Sequence, residues 1–114
     1  MGYLKLVVNN KKKIEFFFNR NELKKILNLY AQMVSGGIWK DYSLNITKYE
    51  ISFCVYKRTA EFPFYKITKN LDPKYKNEKY FVKDKNNNLI KKSSNIENLL
   101  KNTNWEKLKL VNEN

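Results

Sequence analysis

The sequence predicts an α+β fold: an antiparallel β-sheet of about six strands, one main amphipathic helix at about residues 20–35 packed on it, and a short C-terminal helix. Three observations carry that prediction. Apolar residues recur at helical spacing in one stretch with recognisable ends, they alternate with polar residues over most of the chain beyond it, and turn-forming residues separate the alternating runs. With 114 residues, 42% of them hydrophobic and 15% aromatic, the chain has the apolar content of a folded protein and the length of one domain. That domain is read as residues 1–114, with its core at about 3–102 and a frayed C-terminal tail.

Tyr3–Val8 and Ile14–Phe18 are short runs of β-branched and aromatic residues on either side of Asn9-Asn10-Lys11-Lys12-Lys13, which predicts a first hairpin. Ile14, Phe16 and Phe18 share one side of its second strand and are the expected core side. Asn19 followed three residues later by Glu22 has the form of a capping box, and Gly36-Gly37 supplies a stop. Between them Leu23, Ile26, Leu27, Tyr30, Ala31 and Val34 form the apolar stripe expected to face the sheet, leaving Lys24, Lys25, Asn28 and Gln32 in water.

From Tyr42 the period becomes two. Tyr42, Leu44 and Ile46 alternate with polar residues, and after a turn at Thr47–Glu50 the residues Ile51, Phe53 and Val55 alternate with Ser52, Cys54 and Tyr56. Phe62–Thr68 comes next as a third strand, with Pro63 suited to its start. Asn70–Glu78 is polar and reads as a loop; Tyr80–Lys83 and Leu89–Lys92 flank Asp84–Asn88 as a final hairpin. Ser94 with Glu97 has the capping-box form before a helix over 95–102, and Thr103 with Glu106 repeats it before 104–110, which the pattern leaves open between helix and strand.

Composition narrows the chemistry. The chain has no His, the most frequent general base, partner of nucleophiles and metal ligand. Its three glycines build neither a phosphate loop nor a dinucleotide fingerprint, and the lone Cys54 reads as a small buried residue. The expectation is a non-enzymatic cytoplasmic protein with no cofactor, no metal site and no membrane segment, of open oligomeric state.

The net charge of +12 is the strongest compositional signal, since a basic surface attracts polyanions by counterion release. Two features temper it. Of the 23 basic residues 21 are Lys, whereas the guanidinium fork reads phosphates best, and the 17 Asn beside them fit an AT-rich coding bias that enriches Lys throughout. The charge is also spread, +7 in residues 1–60 and +5 in the rest.

Two groupings are candidate binding sites. Trp39-Lys40-Asp41-Tyr42 and Tyr56-Lys57-Arg58-Thr59-Ala60-Glu61 lie at the ends of elements, where Arg58 could clamp an anion, or where Trp39 closes the core and Arg58 pairs with Asp41 or Glu61. The second grouping is a sheet face with aromatics and cations interleaved, Tyr56, Arg58, Phe64, Lys66, Phe81 and Lys83. Binders of single-stranded nucleic acid stack bases on such rings while lysines track the backbone, but the same rings are what a sheet buries beneath a helix.

The segments Phe18-Asn19-Arg20-Asn21-Glu22-Leu23, Ile26-Leu27-Asn28-Leu29-Tyr30, Trp39-Lys40-Asp41-Tyr42, Phe53-x-Val55-Tyr56-Lys57-Arg58 and Pro63-Phe64-Tyr65-Lys66-Ile67 together resemble the alphaproteobacterial domain-of-unknown-function family 2794, over about residues 14–100. Lys40 stands where the family pattern has Arg, so the bidentate fork is missing there. The resemblance implies an intracellular bacterial protein and brings no activity, cofactor or catalytic residue with it. The function expected from the residues is a small basic binding or accessory domain, with RNA or another polyanion as partner. The alternative is a protein- or small-ligand-interaction module with a pocket near Trp39, Asp41 and Arg58, its charge incidental.

Overall fold

A computed structural model describes residues 15–57, 62–75 and 77–105. Its first element, α1 (Arg20–Ser35), starts where the capping box places it: Asn19 Oδ1 accepts the Glu22 N–H at 2.8 Å and Glu22 Oε1 accepts the Asn19 N–H at 2.7 Å. At its other end Gly36 N donates to Gln32 O, and Gly37 takes φ 75°, a left-handed conformation that costs a residue without Cβ nothing.

Five strands come after the helix, β1 (Asp41–Ile46), β2 (Glu50–Tyr56), β3 (Tyr65–Asn70), β4 (Tyr80–Asp84) and β5 (Leu89–Ser93), and then α2 (Ile96–Asn102). The strands form one antiparallel meander in the order β1-β2-β3-β4-β5. The fold is therefore α+β as expected, with five described strands against the expected six. The turns are made by short polar side chains: Thr47 Oγ1 accepts the N–H groups of Tyr49 and Glu50 between β1 and β2, and Asp84 Oδ1 accepts those of Asn86 and Asn88 between β4 and β5.

Cross-strand register sorts the side chains. Ile51, Phe53 and Val55 of β2 face the same way as Tyr65, Ile67 and Lys69 of β3 and Tyr80 and Val82 of β4. Both helices cover this inner face: Ile26 and Met33 from α1, Phe18 and Trp39 from the segments flanking it, and Ile96, Leu99 and Leu100 from α2 join those strands in one buried cluster. Among the described residues no helix covers the outer face. Among the described residues no helix is long and apolar enough to cross a membrane.

Four local expectations need correction. Tyr3–Val8 and Ile14 lie outside the described residues, and Glu15–Phe18, the described end of the expected second strand, forms no strand. Phe18 enters the core, but Phe16, expected beside it, is 72% exposed. The reason is local: Phe18 precedes the helix cap and occupies the position that staples against the first turn, so the chain there turns into α1 instead of running straight. The buried stripe of α1 is Glu22, Ile26 and Met33, rotated from the expected one, and Leu27, Ala31 and Val34 stay exposed. Finally, α2 is capped by Asn95, which accepts the Asn98 N–H at 2.9 Å, rather than by Ser94. Thr103 Oγ1 donates back to Leu99 O at the end of α2, and residues 106–110 lie outside the described residues.

Candidate functional site

The outer sheet face is built by the alternate residues of each strand. Cross-strand pairs put Ser43 beside Cys54, Cys54 beside Lys66, and Lys66 beside Lys83; one step along, Asn45, Ser52, Thr68, Phe81 and Lys92 line up. The small residues at the centre, Ser52, Cys54 and Thr68, are buried, with the Ser52 and Thr68 hydroxyls bonded at 2.7 Å. Larger side chains stand around them. Tyr56 is tied down by its hydroxyl to Ser43 Oγ at 2.9 Å, so its ring lies along the face rather than swinging free.

Cations gather on the rings. The Lys57 ammonium stands 4.7 Å and that of Lys85 5.5 Å from the centre of Phe64, and that of Lys83 5.5 Å from the centre of Phe81. Lys66 and Lys83 are directly opposite one another, and among the described residues neither is within ion-pair distance of a carboxylate. Like charges in that position are destabilising by a few tenths of a kcal/mol or more. Toward β5 the face deepens into an open cleft of about 470 Å³, lined by Asn70, Tyr75, Phe81, Lys83, Leu89 and Lys92, with Glu78 at its rim paired to Lys92 at 3.1 Å. Burial raises the Cys54 thiol pKa, against smaller opposing effects of Lys66 and Ser43, which disfavours the thiolate.

The residues singled out in the sequence are divided by the fold. Tyr56, Lys57 and Lys66 lie on or beside the outer face together with Phe64, Phe81 and Lys83. Tyr42 belongs to the inner face, stacked on Phe53 at 4.7 Å, while Lys40 and Asp41 are exposed at the start of β1. Trp39 is 1% exposed and packs edge-on against Trp105, with Tyr30 on another side, so its ring closes the core and offers no open wall. Arg58 and Glu61 lie outside the described residues. The aromatics and lysines of the sheet are thus brought together with Asp41 beside Tyr56 at the margin, and Trp39 and Tyr42 are turned away from them.

Two groups escaped the sequence reading. Lys85, Tyr75 and Lys92 join the outer face from a turn, a loop and the last strand, and only the register shows that they belong to it. On the inner face Lys69 is fully buried, and its ammonium donates to Glu22 Oε1 at 2.7 Å, to Glu15 Oε1 at 2.8 Å and to Phe17 O at 3.0 Å. Tyr80 donates its hydroxyl to the other Glu22 oxygen. Burial alone would raise the Glu15 pKa, but the bonds from Lys69 and Lys79 outweigh it and hold that carboxyl below its usual range. Burial and the Glu22 carboxylate push the Tyr80 phenol well above its usual range. Every donor of Lys69 is satisfied, which makes this cluster a clamp between the start of α1 and the sheet. The only warning in the sequence was a lysine at an inward position of a strand. Among the described residues no three thiol or carboxylate groups come together to hold a metal ion.

A protein-family model described as a protein of unknown function (DUF2794) matches residues 16–100, which takes in α1, the whole sheet and most of α2. No curated protein and no solved structure gives a significant match.

Proposed function

The chain belongs to the DUF2794 family, and from that premise we propose that it is a non-enzymatic binding module whose open sheet face takes a single-stranded polyanion, RNA above all. The observation that carries this reading is the Lys66–Lys83 pair. The two lysines are cross-strand partners on β3 and β4 with no carboxylate within ion-pair distance, on a face that no helix covers, among the described residues. A phosphate between them would relieve the repulsion and release counterions. Phe64 and Phe81, half-buried beside that pair, supply stacking surfaces, and Lys57 and Lys85 extend the cationic track past Phe64. The face is lysine-lined, so it suits backbone tracking rather than bidentate reading of particular bases. The non-enzymatic reading is supported by the burial of Cys54, which disfavours its thiolate, and by a chain without His.

The test is a salt titration of fluorescence anisotropy with labelled oligouridylate. Four phosphates neutralised by Lys57, Lys66, Lys83 and Lys85 give a slope of log K on log salt of about −3. Replacing Lys66 and Lys83 by Glu should weaken binding at least about tenfold, whereas Lys24→Glu with Lys101→Glu on the helices, the same change in charge, should leave most of it. No binding at low salt, or equal losses in the two double variants, would remove the sheet face as the site.

A further inference from the structure

The two edges of the sheet are made differently. β5 carries Lys91 and Lys92 in succession, and the ladder joining it to β4 is broken by a bulge at Val82/Lys83. Both features discourage a further strand from adding. β1 has neither. Its six residues Asp41-Tyr42-Ser43-Leu44-Asn45-Ile46, with Thr47 after them, include no basic residue in a chain with 23, and no proline.

The ladder shows what β1 presents at its open side. Thr47 N donates to Glu50 O at 2.8 Å, which continues the β1–β2 register by one pair beyond Ile46↔Ile51. Antiparallel strands alternate between pairs that exchange hydrogen bonds and pairs that do not. Asp41, Ser43, Asn45 and Thr47 therefore spend their backbone groups on β2, and Tyr42, Leu44 and Ile46 direct theirs outward, where the Tyr42 N–H donates to Asp41 Oδ1 at 2.7 Å. The same three side chains lie on the inner face, beyond the cover of α1, with Leu44 40% and Ile46 56% exposed. The helix contributes to this gutter. Its Lys25/Asn28/Leu29/Gln32 side is turned to α2, while Tyr30 meets Tyr42 at 5.1 Å, so Leu27 and Val34, one turn to either side of Tyr30, flank the open strand with their side chains about 40% exposed.

We infer that the β1 edge is a self-association surface, on which a second copy of this chain pairs antiparallel with Leu44 opposite Leu44 of the copy. The register is dictated by the exposed groups. A two-fold axis through Leu44 sets Tyr42 opposite Ile46 and Ile46 opposite Tyr42, so the outward N–H and C=O groups of all three residues find partners in one arrangement once the Tyr42 N–H exchanges Asp41 Oδ1 for the Ile46 carbonyl of the copy. That arrangement keeps the apolar side chains of both copies on one side, where each α1 flank meets the other, and sets Ser43 against Asn45 on the outer face. A shift by one residue would place each copy's apolar side chains on the wrong side. Lys40 and Lys48 end up opposite one another at the rims, and each chain carries +12, so the association strengthens with salt.

The experiment is sedimentation velocity on the full chain over a hundredfold range of concentration, in about 0.15 M and about 0.5 M sodium chloride, alongside Leu44→Lys. A species of twice the monomer mass that dissociates on dilution, is favoured by the higher salt, and is weakened at least tenfold by Leu44→Lys supports the inference. A monomer throughout, or a dimer that Leu44→Lys leaves intact, overturns it. Amide exchange on the unsubstituted chain keeps the question decidable if that variant does not fold. Protection of Leu44 and Ile46 that is lost on dilution supports the paired copy. Protection independent of concentration means another segment of the chain covers the edge, and no protection at any concentration means nothing does; either result overturns the inference.

Discussion

Lys66 and Lys69 stand three residues apart on β3, on opposite faces of the sheet, and the fold treats them in opposite ways. Lys69 points under the first turn of α1, fully buried, with two carboxylates and a carbonyl consuming its three donors. Lys66 lies on the outer face, opposite a second lysine, and among the described residues no helix covers that face and no carboxylate comes within ion-pair distance of its ammonium. The contrast shows that a high lysine count is not a single property. Where a cation is structural, the chain surrounds it with acceptors from three separate residues, and where it is not, the charge remains available to something outside the chain.

The sharpest way to break the comparison is to remove the structural member. Lys69→Ala leaves the Glu22 carboxylate buried without its cation, and the general cost of breaking a buried pair by taking one partner away is about 3–5 kcal/mol. Urea denaturation should show a loss of that size with an unchanged slope, and the release of the Phe17 carbonyl should also loosen the start of α1. A loss below about 1 kcal/mol would mean that Glu22 is held mainly by Asn19 and Tyr80, and that the two lysines differ less than their surroundings suggest.

The same cluster has a signature in acid. Glu15 is held below its usual pKa of 4.5 by hydrogen bonds from Lys69 and Lys79, which outweigh the opposing effect of its partial burial. A carboxyl whose folded pKa is depressed binds fewer protons folded than unfolded, so its contribution to stability is complete above about pH 4.5 and is lost as the pH falls through the lower, folded value. Chemical denaturation between pH 7 and pH 3 should show stability falling below about 4.5, and Glu15→Gln should lower the neutral plateau and flatten that limb, so that the two curves converge in acid. An identical acid limb in the variant would show that Lys69 does not depend on Glu15.

These contrasts mark what could be read in advance. The boundaries of α1 were legible because the Asn19–Glu22 box and the Gly36-Gly37 stop act within one turn of the chain, and the strands from Tyr42 onward because period-two alternation is also local. The aromatic and cationic face was legible as a list of residues, since Tyr56, Phe64, Lys66, Phe81 and Lys83 come from strands and strand ends whose pairing gathers them. What was not legible is which face a helix covers. The outer aromatics and a buried set look alike in sequence, and the burial of Lys69 depends on Glu15 and Glu22, residues 54 and 47 positions away. The misplaced stripe of α1 has the same origin: Leu27 and Val34 are apolar enough for the core, but the edge strand they overlook has no further layer above it among the described residues.

The smallest effect separates the two lysines most finely. If Lys66 contributes only repulsion against Lys83, then Lys66→Met keeps most of the length of the apolar stem and removes the charge, and stability should be unchanged or higher by about 0.2–1 kcal/mol. The stem must be conserved because a lysine on a sheet covers apolar surface with its methylenes, here beside the buried Cys54, and a truncation to Ala would mix lost packing with lost charge. The same substitution should weaken oligouridylate binding several-fold and make its salt slope shallower by about 0.7, the share of one phosphate contact on a single strand. Stability and binding then move in opposite directions at one residue, which is the behaviour of a charge kept for a partner. A loss of more than about 1 kcal/mol with unchanged binding would place Lys66 alongside Lys69, as a cation that the fold itself requires.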